Sequence, residues 1–311
     1  MTLPLIIRPA ANKTLRKVTN TVMLSLTAAL TVVALVPLFW IIGYIIYQGS
    51  QYINLDFFTQ LPRPMGITGG GILHALEGTL ILTALAALFA VPPGVLAAFY
   101  VAYRPNTPLG VAVRFGTDVL SGVPSIVIGL FGYALIVKQQ GNYSAFAGAI
   151  AMAILMLPTI IRTTEEMIKL VPTSLHEASA ALGAPDWKTS LSVILPAAAN
   201  GVVTGILLGV ARASGETAPL LFTALGNERF EVVRIVEGGL ASGRSLPEVL
   251  LNVINQPVDS LPLTLFKYAS QPFPERIQQA WSTALVLILL VLMINILSRL
   301  WIYYQSRRLQ G

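Results

Sequence analysis

The chain has 311 residues, of which 55% are hydrophobic and only 11% charged, with a mean hydropathy of +0.72. Soluble domains carry roughly 25% charged residues, so a soluble globular, disordered or fibrous chain is excluded and an all-α integral membrane protein remains. The net charge of +6 is accompanied by no Cys, which excludes disulfides, thiolate metal sites and cysteine nucleophiles.

Crossing about 30 Å of hydrocarbon takes roughly 20 helical residues. A basic tail, residues 1–17, precedes a first span over 18–51 (Val18–Gln51) that is free of Asp, Glu, Lys and Arg. That run is far longer than the ~7–15 apolar residues of a signal peptide. An outer loop over 52–77 follows, in which Gly69-Gly70-Gly71 reads as a flexible turn entering the membrane. The second span is Gly78–Tyr103, and a transmembrane domain extends from there over 78–303. The third (Val119–Val137) and fourth (Gln139–Ile161) spans meet in a tight turn at Gly141-Asn142. In the third, Gly122-Val123-Pro124-Ser125 is compatible with two readings. It either breaks the span and turns amides toward an anion, as discontinuous transporter helices do, or marks a proline start or kink. The fifth, Thr189–Asn227, is apolar apart from Arg212 and Glu216; the sixth is Ile277–Ser298, before a tail at 304–311. Six transmembrane helices are therefore expected.

With both termini cytoplasmic, the cytoplasmic parts hold twelve Lys and Arg and the outer parts seven, with Arg212 left in the membrane. That asymmetry satisfies the positive-inside rule. No clustered basic face suggests nucleic acid. The outer loop 227–276 carries amphipathic pieces such as Leu246–Ile254; it reads as a segment folded back on the outer surface against a partner, or as a passive connector.

The cytoplasmic loop 163–190 has clearer local signals. Ser174 and Glu177 have capping-box spacing after Pro172, Ala178–Leu182 are good helix formers, and Gly183 followed by Pro185 fits a left-handed C-terminal cap. A helix of about two turns should end at Gly183, and a second should begin near Pro185-Asp186 and run into the membrane. Such a unit is a docking knob or a connector. It is not an ATP site: Gly183-Ala-Pro-Asp-Trp-Lys188-Thr189 lacks the second glycine of a P-loop. Any ATP hydrolysis belongs to a separate subunit.

Counting back from Asn227, Arg212 lies fifteen residues, or about 22 Å of helix, inside the fifth span. A charge at such depth costs about 2.5–3.5 kcal/mol on insertion scales and faces a cavity or a partner. Arg212 and Glu216 are four apart on one helical face and can pair. They are either a structural pair or an anion site on a translocation path, since the guanidinium fork matches an oxyanion. One Arg beside one Glu is nearly neutral, so a second, similar subunit would complete such a site.

The loop reads Glu177-Ala178-Ser179, three residues, Gly183, nine residues, then Val193-Ile194-Leu195-Pro196. This resembles the Glu-Ala-Ala motif of permease subunits of binding-protein-dependent ABC importers, with Ser for the second Ala and Val for Ile. The resemblance implies the type I ABC importer permease fold: six transmembrane helices with a cytoplasmic coupling-helix loop, Glu177, Ala178, Ser179 and Gly183 docking the ATPase. The stretch Ala211-Arg212-Ala213-Ser214-Gly215-Glu216-Thr217-Ala218-Pro219-Leu220-Leu221-Phe222 is similar to the A-type permeases of phosphate-specific ABC importers. So are Gly122–Phe131, Gly69–Ile72, Leu261-Pro262-Leu263 and Pro272-Phe273 with Ala280-Trp281, spread over most of residues 69–300.

That likeness implies a plasma (inner) membrane permease translocating inorganic phosphate, with Arg212, Glu216, Thr217, Arg162 and Ser125 on the substrate path. At Arg162, snorkelling to lipid headgroups fits equally well. It implies assembly with a homologous second permease, two ATPase subunits carrying ATP and Mg, and an external phosphate-binding protein. No cofactor is expected on this chain. The alternatives are a permease for molybdate, sulfate or phosphonate, and a proton-coupled secondary transporter using Arg212 and Glu216 as a relay. An enzyme lacks support, because His74 and His176 fall on opposite sides of the membrane and no nucleophile–base set is present.

Overall fold

The computed structural model describes residues 13–310, so Arg8 and most of the basic tail lie outside the described residues. Helix α1 (Lys13–Gly49) starts within the segment that the sequence assigns to that tail. After the short α2 (Leu55–Thr59), whose Asn54 cap accepts from the Phe57 N–H at 2.8 Å, comes α3 (Leu73–Tyr103). Helices α4 (Pro108–Gly122) and α5 (Ser125–Gly132) are bent by 106° at Val123-Pro124. A π-turn and α6 (Lys138–Gln140) complete the second half of that span. Gly141 then turns in the left-handed region, φ +73°, into α7 (Ala145–Lys169).

The loop helix α8 (Thr173–Ala181) and α9 (Asp186–Thr189) lead through a π-turn at Ser190–Ile194 into α10 (Leu195–Ser214). Pro196 accounts for the π-turn. It has no N–H, and its ring crowds the carbonyl four residues back. The helix widens there, and the Leu195 N–H reaches back to Ser190 O. Beyond α10 come α11 (Ala218–Thr223), α12 (Val232–Ala241), α13 (Leu246–Ile254), α14 (Leu261–Ala269) and α15 (Pro274–Gln310). Five described helices are long and apolar enough to cross a membrane, and the bent pair makes a sixth.

The bundle is built on close approach of small residues, which drives helix association where lipid removes the hydrophobic contrast. On α3, Gly78, Leu82, Ala86, Ala90, Gly94 and Ala98 recur every four residues and are buried. They form a ridge that runs parallel along α7, where a Cβ at Gly94 would stand 2.9 Å from Ile160 and one at Gly148 would stand 2.8 Å from Leu82. Helix α1, in contrast, presents almost all of its apolar side chains outward and touches α15 near its end, through Tyr44–Trp281 and Ser282 Oγ donating to Gly49 O at 2.8 Å. An apolar surface of that extent suits a lipid environment.

The third span is broken, as one of the two readings of Gly122–Ser125 has it: Pro124 follows a sharp break and caps α5. Two other sequence expectations need correction. The fifth is not continuous to Asn227: α10 stops at Ser214, and Pro219 sits in the first turn of the separate α11. The loop 227–276 is superficial only in part: residues 241–248, Leu250 and Leu251 are exposed, but Phe230, Val253, Val258 and Leu263 join Leu82, Met152 and Met156 in the main core. The piece Leu246–Ile254 is helix α13, as its amphipathic pattern requires.

Candidate functional site

Which side of α10 is exposed follows from its glycines. Gly201, Gly205 and Gly209 repeat every four residues and lie against α7; a Cβ on Gly205 would stand 2.5 Å from Thr163 Oγ1, and one on Gly209 3.3 Å from Ile160. Ala213 continues the buried ridge. Arg212, one residue before it, is rotated out of that interface, and its side chain is 51% exposed in the last turn of the helix. Glu216, 21% exposed, sits in the break after α10, and the Arg212 Nε to Glu216 Oε1 distance is 4.0 Å. At that separation the two are electrostatic neighbours without a hydrogen bond. The pairing expected from the sequence is therefore present, but at the end of a helix rather than midway along one. The 22 Å count along a continuous helix does not apply.

The other residues that the sequence reading expects on a path fall on two sides of this point. Thr217 is half-buried at the N-cap of α11, and its carbonyl accepts the Leu220 N–H at 3.1 Å. Ser125 is half-buried at the first position of α5, one turn before Gly129. Gly129 abuts the backbone of Pro219, where a Cβ would stand 2.6 Å from its Cα. The break in the third span and the break after α10 thus meet through α5 and α11. Arg162 lies on α7. Taking Ile160 opposite Gly209 and a 1.5 Å rise on each antiparallel helix, it sits about 8 Å along the axis from Arg212, toward the α8 loop.

Arg162 is bonded to Asp118 of α4. One turn further on, Arg114 of α4 donates to Glu165 at 2.5 Å, and Lys169 donates to the same carboxylate at 2.5 Å. With Thr117, Ile161 and Glu166 these groups line a cavity of about 270 Å³. The sequence reading missed Arg114, Asp118 and Glu165. Their signal is opposite charges one turn apart on each of two helices, which cross-pair when the helices run antiparallel.

In the loop 163–190, α8 begins at Thr173 with Pro172 at its cap, and no side chain caps it. The box expected from Ser174 and Glu177 is therefore absent, since Ser174 already lies inside the first turn. A capping box does form at Ser245, whose N–H donates to Glu248 at 2.9 Å. Gly183 behaves as expected. Its φ is +77°, its N–H donates to Ala180 O at 2.9 Å, and the Ala184 N–H donates to Ser179 O at 3.2 Å. Those two bonds are the Schellman closure of a helix end. Glu177, Ala178 and Gly183 are exposed, whereas Ser179 is buried, its hydroxyl 2.8 Å from that of Thr189. That bond ties α8 to α9. Leu182 is 89% exposed at the tip of the loop, a second feature sequence reasoning passed over. His176 packs on the ring of Tyr103 at the end of α3, with centroids 5.5 Å apart.

His74 is on the opposite end of the bundle, wholly buried and 3.9 Å from Asp259, which accepts from Lys267 at 2.8 Å. Nearby, burial pushes the Tyr268 hydroxyl well above its usual pKa, and the Arg276 guanidinium lies 4.4 Å over its ring. This cluster pins the 257–270 segment to the start of α3. Among the described residues, no group of three or more His, Asp or Glu could hold a metal ion.

A six-span helical bundle with a helix–turn–helix knob at one end and small-residue seams between its spans is the architecture of an ABC importer's membrane subunit. Residues 94–311 match the family described as binding-protein-dependent transport system inner membrane component, and the chain belongs to that family. Among solved structures, it resembles a chain of a bacterial alginate ABC transporter in complex with an alginate pentasaccharide-bound periplasmic protein. The TM-score is 0.59 at 14% identity, covering 94% of this chain and 97% of that one. It also resembles a chain of the MetNI methionine ABC transporter in inward facing conformations, with TM-score 0.54, 17% identity, and 75% and 95% coverage. These likenesses establish the type I importer permease fold.

Among curated relatives, the phosphate transport system permease protein PstA of Yersinia pestis is 38% identical over 91% of this chain and 90% of its own length. PstA of Haemophilus influenzae is 38% identical over 94% and 96%, and that of Mycobacterium leprae 35% over 98% and 95%. The chain is a membrane permease component, not an enzyme.

Proposed function

We propose that this chain is the A-type permease of an ATP-driven importer that carries inorganic phosphate from an external binding protein across the plasma (inner) membrane. The observation that carries the reading is the half-exposed guanidinium of Arg212, on an otherwise uncharged helix, with its carboxylate neighbour 4.0 Å away. Its five donors remain open to a tetrahedral oxyanion, which a guanidinium fork matches in charge and geometry. Glu216 tempers the local charge, and a homologous second permease in a heterodimer adds the groups one chain lacks. Thr217 and Ser125 flank the path from α11 and α5, and Arg162 continues it toward the α8 loop.

Both termini and the α8 loop face the cytoplasm in this reading, as the Lys and Arg asymmetry favours. Residues 52–77 and 227–276 then face outward, and 78–303 form the permease domain. The four docking positions Glu177, Ala178, Ser179 and Gly183 have distinct roles. Glu177 and Ala178 meet one of two ATPase subunits, Gly183 sets the end of the helix, and Ser179 passes force inward. Because Ser179 is bonded to Thr189, displacement of α8 is carried through α9 into α10, the helix that ends in Arg212. ATP and Mg are held by the ATPase subunits, and this chain holds no cofactor of its own.

The test is uptake into proteoliposomes containing both permeases and the ATPase, with the binding protein supplied. Uptake of radiolabelled phosphate should require ATP and the binding protein and persist when the proton gradient is collapsed. Uptake of sulfate or molybdate in place of phosphate would refute the substrate, and uptake driven by the proton gradient without ATP would refute the energy source.

A further inference from the structure

Two ion pairs join α4 to α7, and they differ in how readily they open. Glu165 is anchored: its carboxylate is only 10% exposed and is shared by Arg114 and Lys169, each at 2.5 Å. Asp118 and Arg162 are loosely placed by comparison, with side chains 55% and 56% exposed and bonded to each other. Among the described residues, Arg162 is the sole salt-bridge partner of Asp118. The cavity they line, about 270 Å³, is polar and carries three cations, Arg114, Arg162 and Lys169, against three carboxylates, Asp118, Glu165 and Glu166. Its volume is far above the roughly 10–15 Å³ that one water needs.

A carboxylate offers a guanidinium the same paired oxygens that a phosphate offers. Asp118 therefore occupies Arg162 in the way an oxyanion would, from a side chain free to swing into solvent. Glu165 cannot do this, being nearly buried between two cations. We propose that this cavity is a second anion station on the path, beyond Arg212, and that Asp118 is its displaceable stand-in: a tetrahedral oxyanion takes Arg162 from Asp118 on arrival, and Asp118 returns as the anion leaves. The proposal rests on the phosphate reading above. It makes Asp118 a release residue. With the carboxylate present the empty station is balanced at three charges of each sign; without it the station keeps an excess positive charge and retains the anion.

The experiment measures equilibrium binding of radiolabelled inorganic phosphate to the detergent-purified complex without binding protein, alongside uptake in proteoliposomes. Asp118→Asn should bind phosphate about fivefold more tightly, or about 1 kcal/mol at 1.4 kcal/mol per tenfold, while its uptake rate falls. Asp118→Glu, which keeps the carboxylate, should show no gain in phosphate affinity. The double variant Asp118→Asn with Arg162→Gln should lose the gain in affinity. Co-purification of the partner subunits reports assembly, and Asp118→Ala is read in the same way should Asp118→Asn not assemble. Unchanged or weaker phosphate binding in the assembled variant overturns the station, as does a gain that persists in the double variant. A wild-type complex that takes up no phosphate overturns the functional reading itself, whereas normal wild-type uptake with unaltered binding in Asp118→Asn overturns the station alone.

Discussion

Gly183 offers a test in which conformation and contact separate. Its φ is +77°, and a Cβ built there meets nothing within 4 Å, so within this chain a side chain meets no steric clash and only the left-handed backbone is unfavourable. For a non-glycine residue that cost is roughly 1–2 kcal/mol, with Asn among the residues that tolerate it best. A destabilisation of that size reduces the ratio of closed to open helix end by a factor of about 5–30. The Schellman bonds from Gly183 to Ala180 and from Ala184 to Ser179 would open with it, and α8 would lose its fixed angle to α9. The affinity of the permease pair for the ATPase, measured by titration in detergent, should therefore fall in the order Gly, Asn, Ala, Val at position 183. Phosphate-stimulated ATP hydrolysis should follow the same order. If Gly183→Ala binds the ATPase as wild type does, or Gly183→Asn is weaker than Gly183→Ala, the backbone explanation is wrong and a contact in the partner's groove governs the position.

Three further expectations concern the supports of the site. Gly205→Ala would place a Cβ 2.5 Å from Thr163 Oγ1, forcing α10 from α7 at a cost of about 1–3 kcal/mol; thermal unfolding in detergent should shift down, and Thr163→Gly in the same chain should restore part of the loss. Ser179→Ala leaves the buried Thr189 hydroxyl without its 2.8 Å partner, a loss of about 1–3 kcal/mol. Phosphate moved per ATP hydrolysed should fall in that variant while ATPase co-purification is retained. The N–H of Ser245 bonding to Glu248, with its hydroxyl assisting, holds that carboxyl below its ordinary 4.5. A lowered folded-state pKa means the stabilisation is fully present above the ordinary value and is lost as pH falls through the lower one. Amide exchange in the first turn of α13 should therefore accelerate, beyond its intrinsic pH trend, only below about pH 4.5, and Glu248→Gln should remove that step.

The parts legible in the sequence are those written in local chemistry. Leu246–Ile254 stands out because its amphipathic period has Ser245 before it, Pro247 in its first turn and Asn-Gln-Pro after it, and α13 has those bounds. Gly183 is legible because few other residues end a helix left-handed. Arg212 and Glu216 are conspicuous because charge is scarce around them. The end of α10 at Ser214 is harder to see: Gly215 and Pro219 mark it, but the apolar run through Phe222 hides it, and hydropathy carries no information on whether a helix is continuous. Gly201, Gly205 and Gly209 are spaced for a seam, yet the identity of the facing helix is a property of the fold. The same holds for Arg114 and Asp118, whose partners on α7 are 51 and 44 residues away in sequence. The 227–276 loop looks superficial because its buried residues, Phe230, Val253, Val258 and Leu263, are scattered among polar ones. Burial there is decided by tertiary packing, and window averages dilute it.

The central claim is that Arg212 contacts the transported anion, and one substitution tests it most directly. Phosphate uptake by proteoliposomes carrying Arg212→Ala should be abolished while both permeases and the ATPase still co-purify in wild-type proportion. The side chain is 51% exposed and its carboxylate neighbour lies at 4.0 Å, so its removal breaks no hydrogen bond between the two. Uptake at the wild-type rate in that assembled variant would contradict the account.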